Sequence, residues 1–119
     1  MNNSAKSMIK QINRLVQAGY DQFRSTGRRA EQTIAACDHW LAAWELVKPL
    51  AGPNTRTGDE FDTTFPDLSH PLDNWLGDLE MELHNAGLSQ RRYFEARIHF
   101  VHEYLTHFSE LLPVLWTFD

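Results

Sequence analysis

The sequence contains little cysteine and few basic residues. Cys37 is the only cysteine among 119 residues, so neither an intrachain disulfide framework nor a thiolate metal cage can form. Lysine and arginine number 11 against 16 aspartates and glutamates, which gives a formal net charge of -5. Because a nucleic-acid-binding protein needs clustered basic residues to neutralise phosphates, this charge balance argues against nucleic acid as a partner.

Long apolar runs are missing as well. No segment has the roughly 18 continuous apolar residues that a membrane span needs, and the polar N-terminus lacks the apolar region of a signal peptide. We therefore expect no membrane contact and a reduced, cytoplasmic location. The hydrophobic fraction of 42% is ordinary for a globular protein, and the length suits a single domain over residues 1–119.

Alternating strand patterns are absent, and helical periodicity dominates the chain. We predict an all-α fold of four main helices, arranged as two stacked antiparallel hairpins or an irregular four-helix bundle. The first hairpin covers about 4–48, with Ser4 as its N-cap and a turn at Gly27; the second covers about 71–112. The first helix has one apolar stripe, widened by Ile9 and Val16, that consists of Met8, Ile12, Leu15, Gly19 and Phe23. Because Gly19 has no Cβ, we expect another helix to approach closely there. The segment 49–70 connects them, with a short turn of helix expected near Glu60 to Thr64.

The helix predicted over 71–88 has one apolar stripe and one distinct back surface. The stripe that must face a core consists of Leu72, Trp75, Leu76, Leu79, Leu83 and Ala86. Met81 points the opposite way, between polar neighbours, which indicates a second contact surface. The alternative is that the 49–70 segment simply packs over Met81.

Four carboxylates flank this stripe, with Asp78 and Glu82 on one side and Asp73 and Glu80 on the other. We expect both flanks to face solvent, as acidic flanks of helices usually do. The last helix, predicted from Ser89 to about Phe108, has a wide apolar arc that includes Ile98 and Phe100. Arg97 falls inside this arc, where a cation needs a partner. A carboxylate of the 71–88 helix is the nearest candidate, and the sequence leaves open which one.

Six histidines invite a metal hypothesis, with His84, His99 and His102 and nearby carboxylates as candidate ligands. The Glu-x-x-His spacing of carboxylate-bridged bundles is absent, so acid–base pairs on a solvated helix face are favoured. Cys37 lies on a core stripe, and neither a serine elbow nor a glycine-rich phosphate loop occurs. We predict no enzymatic activity, no cofactor and no metal; a small metal-binding helical protein or enzyme is the alternative.

The C-terminal run from Leu111 to Phe118 is apolar and contains Trp116 and the helix-breaking Pro113. Such a run must fold back, or be covered by a partner or by another copy of the chain. The sequence therefore predicts a protein partner or self-association through this segment.

Four segments carry a resemblance to a known family, and they are Cys37 to Glu45, Asn74-Trp75, Asp78 to Leu83 and Asn85 to Leu88. With Tyr93, Arg97 and Phe108, they resemble the tetratricopeptide-like helical domain of bacterial proteins that often carry a SEC-C motif. The likeness covers roughly residues 15–110. It implies an α-α superhelix used for protein–protein contacts. The chain has no Cys-rich segment, so the metal site of a SEC-C motif is not implied.

These observations favour a non-enzymatic helical interaction module, as a shortened or N-terminal unit of a tetratricopeptide-like array. Its binding surface would be the back of the 71–88 helix or the groove between the hairpins. The candidate binding residues are Asn74, Asp78, Met81, Glu82, Asn85 and Trp116.

Overall fold

The computed structural model describes residues 3–24, 29–53 and 55–108. Within these ranges the chain is all-α, as predicted, with five α-helices, one short 3-10 helix and no strand. The helices are α1 (Asn3–Asp21), α2 (Ala30–Val47), α3 (Gly58–Thr64), α4 (Leu72–Gly87) and α5 (Arg92–His107). The predicted turn at Gly27 and the apolar run 111–118 with Trp116 lie outside the described residues.

Helix α1 packs along α2, α4 packs along α5, and α4 also lies against α2. The close approach of α1 and α2 depends on Gly19, because a Cβ at this position would lie 2.0 Å from Nε1 of Trp40. The same indole nitrogen donates a hydrogen bond of 2.9 Å to the carbonyl oxygen of Val16. The position of Gly19 in the apolar stripe of α1 thus reflects direct helix–helix contact.

The core joins all five helices and is rich in aromatic side chains. Its largest fully buried members are Trp40, Trp44, Trp75, Tyr93, Tyr104, Phe61, Phe100 and Phe108. On α1 the buried positions are Ile9, Ile12, Val16 and Gly19, so the centre of the stripe lies one residue beyond the Met8 and Leu15 positions that periodicity indicates. None of the described helices combines the length and the apolar character that crossing a membrane requires.

Two predicted N-caps are wrong, whereas the predicted end of the 71–88 helix at Gly87 is confirmed. Ser4 lies inside α1, and Ser89 lies in the turn before α5, whose N-cap is Arg91. Gly87 is the last residue of α4 and keeps a helical conformation. The absence of a side chain at Gly87 allows α4 to approach Phe94 of α5 closely, because a Cβ there would lie 2.2 Å from the ring of Phe94.

The connecting segment is partly helical, as expected. Pro49 lies in the 3-10 helix Lys48–Leu50, and α3 begins with a capping box in which Thr57 and Glu60 satisfy each other's backbone N–H groups. Phe61 and Phe65 are buried in the core. Asp62 accepts a hydrogen bond of 2.9 Å from the backbone N–H of Leu72, which fixes α3 at the start of α4.

Candidate protein-interaction surface

The first acidic flank of α4 is turned towards the protein interior, so its predicted exposure is wrong. Asp78 accepts a hydrogen bond of 2.6 Å from the hydroxyl of Tyr20 on α1. Glu82 is only 2% exposed and accepts a hydrogen bond of 3.1 Å from Nδ2 of Asn85. Because α4 is covered by α1 and α2 on this side, Asp78 and Glu82 stabilise the fold and are not presented to a partner.

The second acidic flank meets α5, and this prediction of exposure is wrong too. Asp73 accepts a hydrogen bond of 2.8 Å from the hydroxyl of Tyr104. Nε of Arg97 binds the carboxylate of Glu80, with each side chain 14% exposed. Glu80 is therefore the carboxylate that the sequence left open, and it lies on the helix from which it was expected.

Burial sets the protonation of these groups. Desolvation, followed by the hydrogen bond to Asp78, raises the pKa of Tyr20 well above its ordinary value. The pKa of Tyr104 is raised by burial and by Asp73 in the same way. Both phenols therefore stay neutral donors at physiological pH. Burial also raises the pKa of Asp73, although the hydrogen bond from Tyr104 acts in the opposite direction.

Polar contacts also join α5 to α2. The hydroxyl of Tyr93 donates to Asp38 over 2.8 Å, and burial raises the pKa of Tyr93 to about 12. Glu103 accepts hydrogen bonds from Nε1 of Trp44, at 2.9 Å, and from Nζ of Lys48, at 2.8 Å. Burial favours the neutral form of Glu103, but these two donors outweigh it and lower its pKa.

The groove between the two hairpins lies above these contacts. It encloses about 290 Å³, and its walls include Leu41 and Ala42 of α2 and Ala96 and Phe100 of α5. Its rim carries Glu103, which is already bound to Trp44 and Lys48. The lining of the groove is mainly apolar, and its carboxylate, Glu103, joins the two hairpins.

Cys37 is completely buried, in agreement with its predicted core position. Desolvation raises the pKa of its thiol to about 12, and the negative charges of Glu82 and Asp38 act in the same direction. A nucleophilic cysteine requires a thiolate that substrate can reach. Neither condition holds for Cys37 in this fold.

The candidate metal ligands do not converge. The ring of His84 packs on Phe94, with 5.6 Å between centroids, whereas His99 and His102 are exposed on α5. Over residues 3–24, 29–53 and 55–108, no group of three or more His, Cys, Asp or Glu side chains could hold a metal ion. The metal-binding alternative stays a hypothesis without support from the described geometry.

The exposed apolar side chains of the described chain are concentrated on the second hairpin. Met81 on α4 is 45% exposed, Leu88 at its C-terminal end 72% and Ile98 on α5 69%. Periodicity had assigned Ile98 to the apolar arc of the last helix, and that assignment to the core is wrong. Contiguous exposed apolar patches often mark contact surfaces, so these three positions are candidates for one.

Two helix stripes meet to form this surface, which we call the outer face. It comprises Met81, His84 and Leu88 from α4 and Phe94, Ile98, Val101 and Leu105 from α5. The spacing of three, four or seven residues places each set on one side of its helix. The contact of His84 with Phe94 and the Arg97–Glu80 ion pair bring the two stripes side by side.

The outer face is concave at its centre. Glu80, Met81, His84 and Arg97 line a depression of about 240 Å³. One helical turn before Met81 lies Gly77, where an added Cβ would meet no atom within 4 Å. The outer face therefore has apolar side chains around a depression that contains the Arg97–Glu80 ion pair, and it has open space beside Gly77 on α4.

The predicted binding residues are divided by the structure. Asn74, Met81 and Asn85 are exposed, whereas Asp78 is half-buried and Glu82 is buried. Trp116 lies outside the described residues. The 49–70 segment does not cover Met81, because α3 is fixed at the opposite end of α4 and Met81 retains its 45% exposure.

Comparisons of the chain with protein-family models, with curated proteins and with solved structures found no match. The resemblance to the tetratricopeptide-like domain of SEC-C proteins therefore stays a prediction.

Proposed function

We propose that this chain is a non-enzymatic helical protein–protein interaction module that binds its partner through the outer face. The observation that carries the proposal is the exposure of Met81, Leu88 and Ile98 on a single hairpin. The other large apolar side chains of the described residues are buried or only partly exposed.

The chemistry of the outer face suits a protein segment with apolar anchors. Helix-lined grooves recognise such segments through a few apolar contacts, while polar groups fix the orientation. Met81 is unbranched and adapts its shape to the side chain that packs on it. Arg97 and Glu80 bind each other, but their polar atoms line the central depression and can orient a ligand backbone.

The partner is a protein, or a second copy of the chain that associates through the apolar segment 111–118. The net charge of -5 gives no support for nucleic acid, and no membrane contact is proposed. A bacterial, cytoplasmic protein related to tetratricopeptide-like arrays fits the sequence resemblance, and the pairing of α1 with α2 and of α4 with α5 is compatible with such an array.

Affinity capture from a native lysate tests the proposal. The test variant carries Met81→Glu, Leu88→Glu and Ile98→Glu, which place three charges on the outer face. The matched control carries Ser7→Glu, Gln11→Glu and Ala30→Glu at exposed positions of the first hairpin. We expect wild type and control to retain the same protein and the outer-face variant to lose it, with all three chains equally helical by circular dichroism.

Equal retention by the outer-face variant and the control would overturn the proposal. Loss from both variants would show that added negative charge, and not the outer face, governs the capture.

A further inference from the structure

We infer that the outer face binds a second copy of this chain, with the α4–α5 hairpins of the two copies packed face to face and antiparallel. The inference rests on the proposed function in one respect, that the outer face is the binding surface, and it adds the identity of the partner. The side chains involved all belong to α4 and α5, which the structure describes throughout.

The outward stripe of α4 is symmetric about Met81. Its members are Asn74, Gly77, Met81, His84 and Leu88. The outer two lie seven residues from Met81 and the inner two lie three or four residues from it, which is the spacing by which helices pack side by side. When a second α4 crosses antiparallel at Met81, its Leu88 lies over Asn74 and its His84 lies over Gly77. An added Cβ at Gly77 would meet no atom within 4 Å, so each copy has room there for the ring.

The outward stripe of α5 is symmetric about Ile98 and is also complementary in polarity. Its members are Arg91, Glu95, Ile98, His102 and Leu105. An α5 that crosses antiparallel at Ile98 brings the carboxylate of Glu95 beside the imidazole of His102 of the second copy, which is a hydrogen-bond donor in its neutral and its charged form. The aliphatic stem of Arg91 then covers Leu105 of the second copy. Two-fold symmetry makes each of these contacts twice.

The centres of the two stripes lie at nearly the same height of the hairpin. Glu80 binds Arg97, and this pair places Met81 within about 3 Å of the height of Ile98 along the helices. One two-fold axis can therefore pass close to both centres, as a closed contact between identical copies requires. The depression of about 240 Å³ that Glu80, Met81, His84 and Arg97 line is beside this axis and can take up the flexible Met81 side chain of the second copy.

The charges of the two stripes favour a second copy over a charged partner. Around the outer face two cations, Arg91 and Arg97, balance two anions, Glu80 and Glu95, and the outward stripe of α4 has no acid, lysine or arginine. Such depletion of charge is typical of the centre of a protein interface. These stripes do not bear the chain's net charge of -5, so two copies can meet here with little repulsion.

The size of the contact predicts a weak dimer. From Asn74 to Leu88 the stripe is about 21 Å long at a rise of ~1.5 Å per residue, and two helices side by side are about 20 Å wide. This footprint is smaller than the roughly 800 Å² that each partner buries in a standard interface. We therefore expect a dissociation constant in the micromolar range, so that the outer face is free in dilute solution.

Sedimentation equilibrium of the full-length chain tests the inference, at concentrations from about 1 μM to about 500 μM, which bracket the expected dissociation constant. We expect the mass of wild type to rise from 13.8 kDa towards twice that value. The outer-face variant used for affinity capture should remain a monomer throughout, whereas its matched control should dimerise like wild type. A monomeric wild type, or a variant that dimerises as well as the control, would overturn the inference.

Cysteine cross-linking tests the antiparallel arrangement, with a short bis-maleimide reagent and chains in a Cys37→Ala background. Met81→Cys and Ile98→Cys lie at the two-fold axis and should each give a cross-linked dimer. Leu88→Cys is the matched control, since Leu88 is more exposed than Met81 but its two copies would lie about 21 Å apart. A mixture of Leu88→Cys and Asn74→Cys chains should cross-link. Equal cross-linking at positions 81 and 88, or none at 81 and 98, would overturn the arrangement.

Failure of the inference is distinguishable from failure of the proposed function. If wild type stays monomeric but the outer-face variant loses a captured protein, the outer face binds a foreign partner and only the inference fails. If wild type dimerises but neither the dimer nor the capture responds to the outer-face substitutions, another surface makes the contacts and both fail.

Discussion

The guanidinium of Arg97 on α5 binds the carboxylate of Glu80 on α4 at the floor of the outer face. Both side chains are 14% exposed, so each charge is largely withdrawn from water and depends on the other. This pair fixes the distance between the two stripes of the outer face. Its energetics can be compared with those of an exposed pair in the same chain.

We expect Arg97→Met alone to destabilise the protein by about 2–3 kcal/mol, because it leaves Glu80 buried without its cation. The double variant Arg97→Met with Glu80→Gln should be less destabilised than the sum of the two single variants. Urea denaturation of the four chains gives the coupling energy. The exposed pair Arg24–Asp21, with side chains 75% and 49% exposed, is the control and should show a coupling close to zero. Equal coupling in the two cycles would contradict the account.

Substitution of alanine for two helical glycines, Gly77 and Gly19, should change the stability of the protein in opposite directions. Gly77→Ala adds a Cβ into open space and should stabilise the protein by about 0.5–1 kcal/mol, since alanine has the higher helix propensity. Gly19→Ala places a Cβ 2.0 Å from Trp40 and should destabilise it by about 1–3 kcal/mol or more. Thermal and urea unfolding check both values. Destabilisation by Gly77→Ala would mean that the outer face is already filled at this position.

The thiol of Cys37 should be inert in the folded protein. It is fully buried, and burial raises its pKa to about 12, so a disulfide reagent should modify it only as fast as the protein opens. In concentrated guanidinium, where the chain is unfolded, modification should be immediate. The control chain, Cys37→Ala with Ile98→Cys, should react rapidly while folded. Rapid modification of native Cys37 would show that the core around Glu82 is open to solvent.

Asp73 and Glu103 should contribute with opposite signs to the change of stability with pH. The folded-state pKa of Asp73 is raised, so the unfolded chain releases this proton first and Asp73 lowers stability as pH rises through its titration. The folded-state pKa of Glu103 is lowered, so its contribution is present above its unfolded pKa and is lost as pH falls through the folded value.

Asp73→Asn should therefore gain stability relative to wild type between about pH 3.5 and about pH 5.5, and Glu103→Gln should lose stability over the same interval. Urea denaturation of the three chains at both pH values gives the two differences. Differences of the same sign would contradict the assignment of their environments.

Much of this fold follows from periodicity. The buried stripe of α4, the contact between Gly19 and its neighbouring helix, and the helix that supplies the partner of Arg97 are all predicted correctly. The first two depend on side chains three or four residues apart along one helix, and the third depends on the order of the helices along the chain. Such spacing is set locally and can be read from the sequence.

The errors arise where the outcome depends on a neighbouring element. Asp78 and Glu82 are polar, so the pattern predicts exposure, but α1 and α2 cover that flank and supply Tyr20 as a donor. Apolar residues occupy so much of the circumference of α5 that periodicity cannot tell which part meets the core. Phe100 and Ile98 both belong to this wide arc, but the structure buries Phe100 and leaves Ile98 exposed. The wrong assignment of Ile98 matters most, because with Ile98 placed in the core the sequence does not indicate that α5 contributes to the outer face.

The most direct test of the central claim is photo-crosslinking in cells of the source organism. A photoreactive phenylalanine analogue replaces Ile98 in one chain and Gln11, on the exposed side of α1, in another. The account predicts a light-dependent protein adduct, heavier than the chain alone, from position 98 and none from position 11. Absence of an adduct at position 98, or equal adducts at both positions, would contradict the assignment of the outer face as the interaction surface.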